Sequence, residues 1–455
     1  MDKKFPVPLL LKEISGYFRN ANFSAYLVGG AVRDFFLEKS ASDWDIATNA
    51  QPEKVMHLFR RTIPTGIEHG TVTIIYKNKH IECTTFRTEA DYTDGRHPTT
   101  VSYTATIEED LARRDFTMNA IAVSLPDGTV VDPFNGRADI RAKRIQTVGK
   151  PLDRFLEDGL RPVRAVRFAA QLGFTIDKET LGAIPQALHI TQKISIERFR
   201  EELTKILICP TPLTALRLME STGLLHLFIP ELTECRGVEQ GSYHHFDVLD
   251  HSFLVCNACP AGMEHLHIRL AGLFHDIGKP STRKEAADGS CTFYRHESVS
   301  EKMTRSIMKR LKYPNAEIEK TAHLVAQHMF HYDPFWTDAA VRRFIVRVGK
   351  ENIDDLFALR KADVFGLTGT YAEPNFLVEF TARIDKILQE DGAYSLKDLA
   401  VNGKDLMAIG IPAGKYLGIV LHDLLETVLD DPAQNTKETL LPIATAIYER
   451  IQRFQ

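Results

Sequence analysis

Apolar residues near the start of the chain recur at helical spacing (Leu9, Leu10, Ile14, Phe18) and predict an amphipathic helix over residues 1–25. The pattern then shifts to short apolar runs closed by turn residues. Ala25–Val28 reads as a strand ending on Gly29-Gly30, AVRDFFLE as a helix, and Asp43-Trp44-Asp45-Ile46-Ala47 as a second strand. Pro52 opens a further helix, PEKVMHLF. Thr71–Tyr76 and His80–Phe86 predict two strands joined by a Lys-Asn turn. The polar stretch RTEADYTDGRHPTT reads as a mobile loop. Arg113–Ser124 predicts a helix followed by a strand, and Asp127-Gly128 marks a hairpin. Beyond about residue 140 strand patterns disappear and helical periodicity continues to the end, broken near Gly173, Pro210–Pro212, Pro230, Pro280, Pro334 and Pro374. The expected fold is α+β: a small α/β head with a mixed sheet on a long all-α body. A chain of 455 residues exceeds one ordinary core. Four parts are expected, at 1–145, 146–235, 236–370 and 371–455.

Composition narrows the partners. Charged residues make up 25% and apolar ones 44%, as in ordinary soluble chains. A formal net charge of −4 excludes a molecule that is basic all over, so any nucleic-acid contact must be local. Arg137 to Arg167 supplies a local surplus, nine basic residues against four acidic ones. That run is either a phosphate-contacting patch or a solvated helical face. The six cysteines are scattered, and the single C-x-x-C, Cys256 and Cys259, lies in the apolar run SFLVCNAC and reads as buried. With no secretory leader pattern at the N-terminus and no 18-residue apolar stretch, a cytoplasmic, reducing setting without membrane attachment is expected.

Chemistry concentrates first at Gly29-Gly30-x-x-Arg33-Asp34, followed by Asp43-x-Asp45. A glycine pair at a strand exit lets backbone N–H groups approach a phosphate, and Arg33 adds a charge-assisted donor for a triphosphate. Two aspartates two apart on a strand share a face. Hard carboxylates so placed suit Mg²⁺, and two such ions clamp the attacking hydroxyl and the leaving pyrophosphate in phosphoryl transfer. Glu82 is either a third carboxylate or part of a solvated strand face.

At this point the chain resembles a family. GGAVRDFFLEKSASDWDIAT is similar to the nucleotidyltransferase signature of bacterial CCA-adding enzymes and poly(A) polymerases. RRDFTMNAIAV resembles the family's ribose-contacting motif, RFLEDGLRPVRAVRFAAQLGF its base-recognition helix, ISIERFREELTKIL its next helical motif, and LAVNGKDLMAIGIPAGKYLG its C-terminal region. The resemblance implies that Asp43 and Asp45 bind the catalytic Mg²⁺ ions and that Gly29, Gly30 and Arg33 hold the triphosphate. Arg114, Asp115 and Asn119 then orient the nucleotide; on residue type alone, Asp115 and Asn119 could equally form an exposed helix face. It also implies a protein template in Glu157-Asp158-Gly159-Leu160-Arg161, with Arg164 beside it. Read without the family, Asp158 and Arg161 form an i,i+3 salt bridge. Read with it, carboxylate and guanidinium match the amino group and bare ring nitrogen that cytosine and adenine share, and mismatch guanine and uracil. Pro162, just after Arg161, puts the local helix geometry in question. RTEADYTDGRHP resembles the loop that accompanies A addition, and GIEHGTVTI stands where poly(A) polymerases carry an arginine-rich stretch. The implied activity is addition of CCA to tRNA from CTP and ATP. Competing readings are an A-adding enzyme, a poly(A) polymerase and a non-catalytic RNA-binding scaffold.

A second constellation lies in 240–365. FHDIGKP, YRHESVS and RKADVFG resemble the blocks of HD-domain phosphohydrolases. The resemblance implies a divalent transition metal or Mg²⁺ on His251, His275, Asp276 and Asp363, with His296 and either His323 or His328 holding a second ion. A metal-bound water would attack a phosphomonoester or a cyclic phosphodiester. This makes a further reading possible, an HD phosphohydrolase with an RNA-binding head. The opposite reading is a degenerate domain retained for packing.

Overall fold

β-branched and aromatic runs in the first 131 residues assemble one seven-stranded mixed sheet. Its strands are β1 (Ala25–Val28), β2 (Asp45–Thr48), β3 (Thr62–Gly66), β4 (Thr71–Tyr76), β5 (Lys79–Thr85), β8 (Ala122–Ser124) and β9 (Val130–Val131), in the order β3-β4-β5-β2-β1-β8-β9. Only β2 and β5 run parallel; the register sets Asp45 opposite Glu82. The computed structural model describes residues 5–40, 43–67, 70–92, 98–104, 106–241, 245–285, 287, 290–370, 374–389 and 395–453. The chain divides into two compact units, Met1–Glu234 with Arg310–Tyr313, and Cys235–Lys309 with Pro314–Gln455.

The expected fold class holds, a mixed sheet followed by a helical body, with several local differences. The first helix spans Leu9–Asn20, shorter than the 1–25 window, and buries Leu11, Ile14 and Phe18. β2 starts at Asp45, so Asp43 precedes the strand rather than lying on it. β3, which the sequence did not suggest, pairs with β4 through an irregular register. The stretch read as a mobile loop is instead a two-stranded ribbon, β6 (Arg87–Tyr92) against β7 (Pro98–Tyr103); its tip at 93–97 falls outside the described residues. The stretch is mostly polar, so no apolar period-2 pattern announced it. Between Arg113 and Ser124 no regular helix forms: the helix is earlier, Ile107–Ala112, and a single 3₁₀ turn at Thr117–Asn119 leads into β8. Strands also recur beyond residue 140, as short pairs Arg144–Ile145 with Thr175–Ile176 and Arg283–Glu285 with Cys291–Phe293.

In the first unit the helix Arg161–Leu172 carries the working face. Val163, Ala165, Val166, Ala169 and Ala170 are buried. Arg161, Arg164 and Arg167, spaced three apart, line up on one side. Pro162 sits in the first turn, where no backbone N–H is required, so it starts the helix instead of distorting it. In the second unit the helices Val248–Ala258 and Leu266–Phe274 are apolar nearly all round and sit in the core with Ile353–Thr368. They pack into a core containing Val255, Ala271, Leu324, Phe344, Leu356 and Phe380. Residues of the 399–447 region build a separate cluster around Val420, Leu424, Val428 and Leu440.

Candidate active site and metal centre

The end of β1 opens the first site. Gly29 has φ +73°, a left-handed conformation that costs a residue without Cβ little. A Cβ there would meet Asp45 Oδ2 at 3.3 Å and Arg114 Nη1 at 3.5 Å. The turn therefore presses its backbone against a carboxylate and a guanidinium. Asp43 and Asp45 line the same cavity of about 700 Å³ although only Asp45 is on the strand. Burial chiefly, then the charges of Glu82 and Asp43, push the Asp45 carboxyl above its usual range against the pull of Arg114. Glu82 itself is exposed on β5 and acts from across the register. Crowded carboxylates of this kind are a donor set that a divalent cation relieves, and Mg²⁺ fits their hard oxygens.

Gly29, Gly30, Arg33, Arg114, Asp115, Asn119, Asp158, Arg161 and Arg164 all line that cavity. A continuous hydrogen-bonded chain links several of them. Asp34 accepts from Arg33 Nε and Nη2, and Arg33 Nη1 donates to Asn119 Oδ1 at 2.9 Å. Asn119 Nδ2 donates to Asp115 Oδ1 at 3.1 Å, and Asp115 Oδ2 accepts from Arg164 Nε and Nη2 at 2.9 and 2.6 Å. Asp115 and Asn119 are thus buried partners across a tight turn, not an exposed helix face. Burial pushes the Asp115 carboxyl up, but Arg164, Asn119 and Arg161 together bring it down to about 2. The ring of Phe168 lies under three guanidiniums, those of Arg33, Arg164 and Arg167, at 5.2, 5.5 and 3.9 Å.

The expected i,i+3 bridge between Asp158 and Arg161 is absent. The preceding helix ends at Glu157 and Asp158 is extended (φ −138°, ψ 109°), so the two residues flank a corner between helices. Asp158 accepts from Arg198 at 2.9 Å, and Arg161 pairs instead with Glu157 at 2.6 Å and donates to the carbonyl of Arg113 at 3.0 Å. Gly159 makes the corner possible, since a Cβ there would lie 2.8 Å from the Ile190 carbonyl oxygen. The basic run 137–167 splits in two. Arg161, Arg164 and Arg167 turn into the cavity, while Arg141, Lys143, Arg144 and Lys150 are exposed. Sequence reasoning did not single out Arg113, Arg167, Phe168, Arg198 or Lys205, which also line the cavity. For Arg167 and Phe168 the signal was present, as helical spacing from Arg164.

The second site is built from buried helices. His251 Nε2 and His275 Nε2 are 3.2 Å apart, with Asp363 Oδ1 at 3.2 and 3.7 Å from them. Asp276 stands between this group and another. Its Oδ2 lies 3.5 and 3.2 Å from His251 and His275, and its Oδ1 lies 3.1 and 3.8 Å from His296 and His328. The four residues grouped from sequence thus come together, and Asp276 also joins the His251/His275/Asp363 cluster to a second one with His296 and His328. His323 is excluded, because its Nε2 is engaged with the Val348 carbonyl at 2.7 Å.

The histidine hydrogen bonds test whether a cation belongs there. His275, His296 and His328 each direct Nδ1 at a backbone carbonyl, of Gly272, Phe293 and Val325, at 2.9, 2.9 and 2.7 Å. A carbonyl only accepts, so each Nδ1 donates to its carbonyl and Nε2 is the atom turned towards the carboxylates. The Nε2 atoms of His296 and His328 face each other across 3.3 Å, with Asp276 Oδ1 at 3.1 and 3.8 Å from them. Two ring nitrogens and a carboxylate oxygen so placed fit a cation, and backbone carbonyls behind the rings are how ligand imidazoles are fixed. Burial first, then His275, lowers His328 to about 3, so it is neutral at ordinary pH. Burial raises Asp276, but His275 and Lys279 outweigh it and hold the carboxyl well below the usual range. Two glycines admit this packing. A Cβ on Gly278 would meet the His296 carbonyl at 2.8 Å, and one on Gly366 would meet Val255 Cγ2 at 2.5 Å and His251 at 2.9 Å.

Residues 25–146 match the family model "Poly A polymerase head domain", residues 173–236 the "Probable RNA and SrmB- binding site of polymerase A", and residues 291–444 a tRNA nucleotidyltransferase domain 2. A CCA-adding enzyme of Levilactobacillus brevis is 34% identical over 431 residues, which span 93% of this chain and 94% of the relative. That of Enterococcus faecalis is 33% identical over 443 residues and 96% of each chain. The crystal structure of the Bacillus stearothermophilus CCA-adding enzyme in complex with CTP matches at a TM-score of 0.73 and 30% identity, over 98% of this chain and 97% of that one. Among the described residues no helix is long and apolar enough to cross a membrane. With full-length relatives above 30% identity, a head strand that ends on Gly29-Gly30 and a cavity gathering the motif residues, the chain belongs to the family of CCA-adding enzymes.

Proposed function

We propose that this protein adds C, C and A to the 3′ end of tRNA from CTP and ATP. The observation that carries the reading is the single cavity on which Asp43, Asp45, Gly29, Gly30, Arg33 and the Asp115–Arg164 network converge with Asp158 and Arg161. Relatives of 30% identity or more are CCA-adding enzymes, and one is seen with CTP. Asp43 and Asp45 would hold Mg²⁺, which when bound neutralises charge on the attacking and leaving oxygens. Arg33 and Arg114 lie beside the glycine turn to hold phosphates, and the Asp115 network fixes the nucleotide's sugar end. Asp158 accepts from the base amino group while Arg161 donates to the ring nitrogen, which admits C and A alone. The exposed cations between Arg141 and Lys150 suit RNA phosphates, with 146–235 and 371–455 as the proposed RNA-contacting parts of a 1–145 head and a 236–370 metal domain. Labelled CTP and ATP, supplied with Mg²⁺ and tRNA transcripts ending before CCA, after C and after CC, test this. Stepwise C, C and A with a clean stop is expected. A alone, and only on the CC-ended transcript, would make it an A-adding enzyme instead.

A second activity is favoured by the joined His/Asp clusters. The donors suit two divalent ions, of a transition metal or Mg²⁺, with Asp276 as the shared ligand. Bound there, the ions would supply a hydroxide-like water at neutral pH. In the hydrolysis the water oxygen bonds to phosphorus, the P–O ester bond breaks, and the departing oxygen takes up the proton that the water releases. Lys279 and Arg360 place positive charge on the same cavity to receive the phosphate.

A further inference from the structure

The cavity over the His/Asp clusters has a second feature that phosphate binding does not use. Its volume is about 680 Å³, far more than one phosphate needs, and its mouth carries Tyr294 and Met329. These are among the most exposed large apolar side chains, at 80% and 57%. Either alone would be an ordinary surface residue. Both belong to one cavity, arrive from different elements, and sit next to residues of the clusters, Tyr294 two before His296 and Met329 directly after His328.

The residue between Tyr294 and His296 is held unusually. Arg295 has φ +59°, the left-handed region that an arginine seldom occupies. Such outliers persist where the surroundings enforce them. Here one sharp turn delivers His296 inward to Asp276 and sends Tyr294 and Arg295 outward to the mouth. The Arg295 guanidinium lies 6.0 Å from the Tyr294 ring. A flat aromatic face, a polarisable thioether on the same cavity and a guanidinium alongside the ring suit the stacking of a nucleobase whose phosphate lies deeper.

We propose that the mouth of this cavity is a base-stacking subsite built by Tyr294 and Met329, so that the centre takes a nucleoside phosphate in preference to inorganic or sugar phosphate. The proposal rests on the phosphohydrolase reading given above and adds its substrate class. Stacking accepts any base because every base offers a π-face, so the subsite selects for the presence of a base and not its identity. Arg295 reaches the ligand from the Tyr294 side, while Lys279 and Arg360 wait nearer the clusters, where they contact Asp276 and Asp363 at 2.7 and 2.9 Å. The same chemistry comes from a free nucleotide or from the last residue of an RNA with a terminal phosphate.

The test compares the full-length metal-loaded wild type with Tyr294→Ala and Tyr294→Phe. Adenosine 3′-monophosphate and glycerol 2-phosphate serve as hydrolysis substrates, and equilibrium dialysis of labelled adenosine 3′-monophosphate reads binding independently of turnover. Incorporation of CTP into tRNA, on the other unit, checks that each variant is folded. Loss of one base-stacking partner should raise KM for the nucleotide about tenfold or more with kcat little changed. The dialysis Kd should rise in parallel, Tyr294→Phe should behave as wild type, and glycerol 2-phosphate should be indifferent to the change. An RNA oligonucleotide with a 3′-phosphate that binds more tightly than the mononucleotide assigns the ligand to RNA ends; equal binding assigns it to free nucleotides. A Tyr294→Ala protein whose dialysis Kd is unchanged, or whose two substrates suffer equally, overturns the subsite. A wild type that binds the nucleotide through Tyr294 but hydrolyses neither substrate removes the phosphohydrolase reading and leaves the subsite standing.

Discussion

Replacing Asp115 by Asn tests the network that organises the first cavity. Asn keeps the size of Asp and an oxygen for the Phe116 N–H, which donates to Asp115 Oδ1 at 2.8 Å. It mimics the protonated carboxyl and removes the charge facing Arg164. The side chain is 10% exposed, so solvent screens little of that charge. Despite burial, which raises it, the carboxyl is drawn down to about 2 from an ordinary 3.8 by Arg164 foremost. At 1.36 kcal/mol per decade of proton affinity, the ionised form stabilises the folded head by about 2 kcal/mol at neutral pH. Amide hydrogen exchange of β1 and β8 measures the opening of that head directly. Exchange in Asp115→Asn should be about thirtyfold faster at pH 7. The sign of the pH effect follows. A folded-state value below the unfolded one gives stability that is complete above about pH 4 and drains away as pH falls from 3.8 towards 2. Wild type should therefore converge on the variant over that interval. Exchange within twofold of wild type at pH 7, or a gap that widens in acid, would falsify the assignment of Asp115 as the charged anchor of Arg164.

Other consequences follow from the same geometry. Asp43→Ala should lower CMP incorporation by about a thousandfold, several kcal/mol of lost charge stabilisation, while tRNA binding in a filter assay stays near wild type; incorporation at a near-normal rate would dismiss Asp43 as a metal ligand. Because Asp276 serves both clusters, Asp276→Ala should lose two ions per chain by mass spectrometry relative to wild type, His328→Ala should lose one, and His323→Ala should lose none. Retention of one full ion in Asp276→Ala would show that the carboxylate is not shared. Gly366→Ala forces a methyl into contact with Val255 and His251. Overpacking of this kind costs about 1–3 kcal/mol, so the variant should melt earlier and hold metal about tenfold less tightly, whereas unchanged affinity would mean that His251 is not fixed by this contact.

The sequence was readable where a residue's neighbours in space are also its neighbours in the chain. Strands β1, β4 and β5, the Asp127-Gly128 hairpin and the proline-started helices follow from local pattern and turn chemistry. The β6–β7 ribbon was not readable, because the stretch is mostly polar and its alternation, Arg87, Glu89 and Asp91 against Thr88, Ala90 and Tyr92, lacks the apolar residues that mark a strand. Asp43 and Asp45 came from a short motif, and their meeting on one cavity needed only the strand that follows. The roles of Arg198 and Arg113 were hidden, since their partners, Asp158 and Arg161, lie 40 and 48 residues away. His323 and His328 were indistinguishable by spacing. What separates them is the direction of the helix end, which turns His323 to a carbonyl and His328 to Asp276.

On the proposed function, the missing Asp158–Arg161 bridge bears on how this protein would read a base. Had the two side chains paired with each other, an incoming base would first have to break an ion pair, and leaving a charge unpartnered in a buried setting costs about 3–5 kcal/mol. Third parties hold them instead. Asp158 accepts from Arg198 through one oxygen and from the Leu160 N–H through the other, which leaves lone pairs on both. Arg161 donates to Arg154, Glu157 and the Arg113 carbonyl, three bonds from a group with five N–H. Each side chain is thereby fixed in direction while keeping the capacity a base edge needs. The arrangement resembles half of a base pair set in advance, with its rigidity supplied from outside. If that is how choice is made, removing Arg198 should loosen discrimination without touching the base. Arg198→Ala should misincorporate UMP or GMP more often, with CTP affinity reduced only a few-fold. A variant that keeps full selectivity would place the restraint on Asp158 elsewhere.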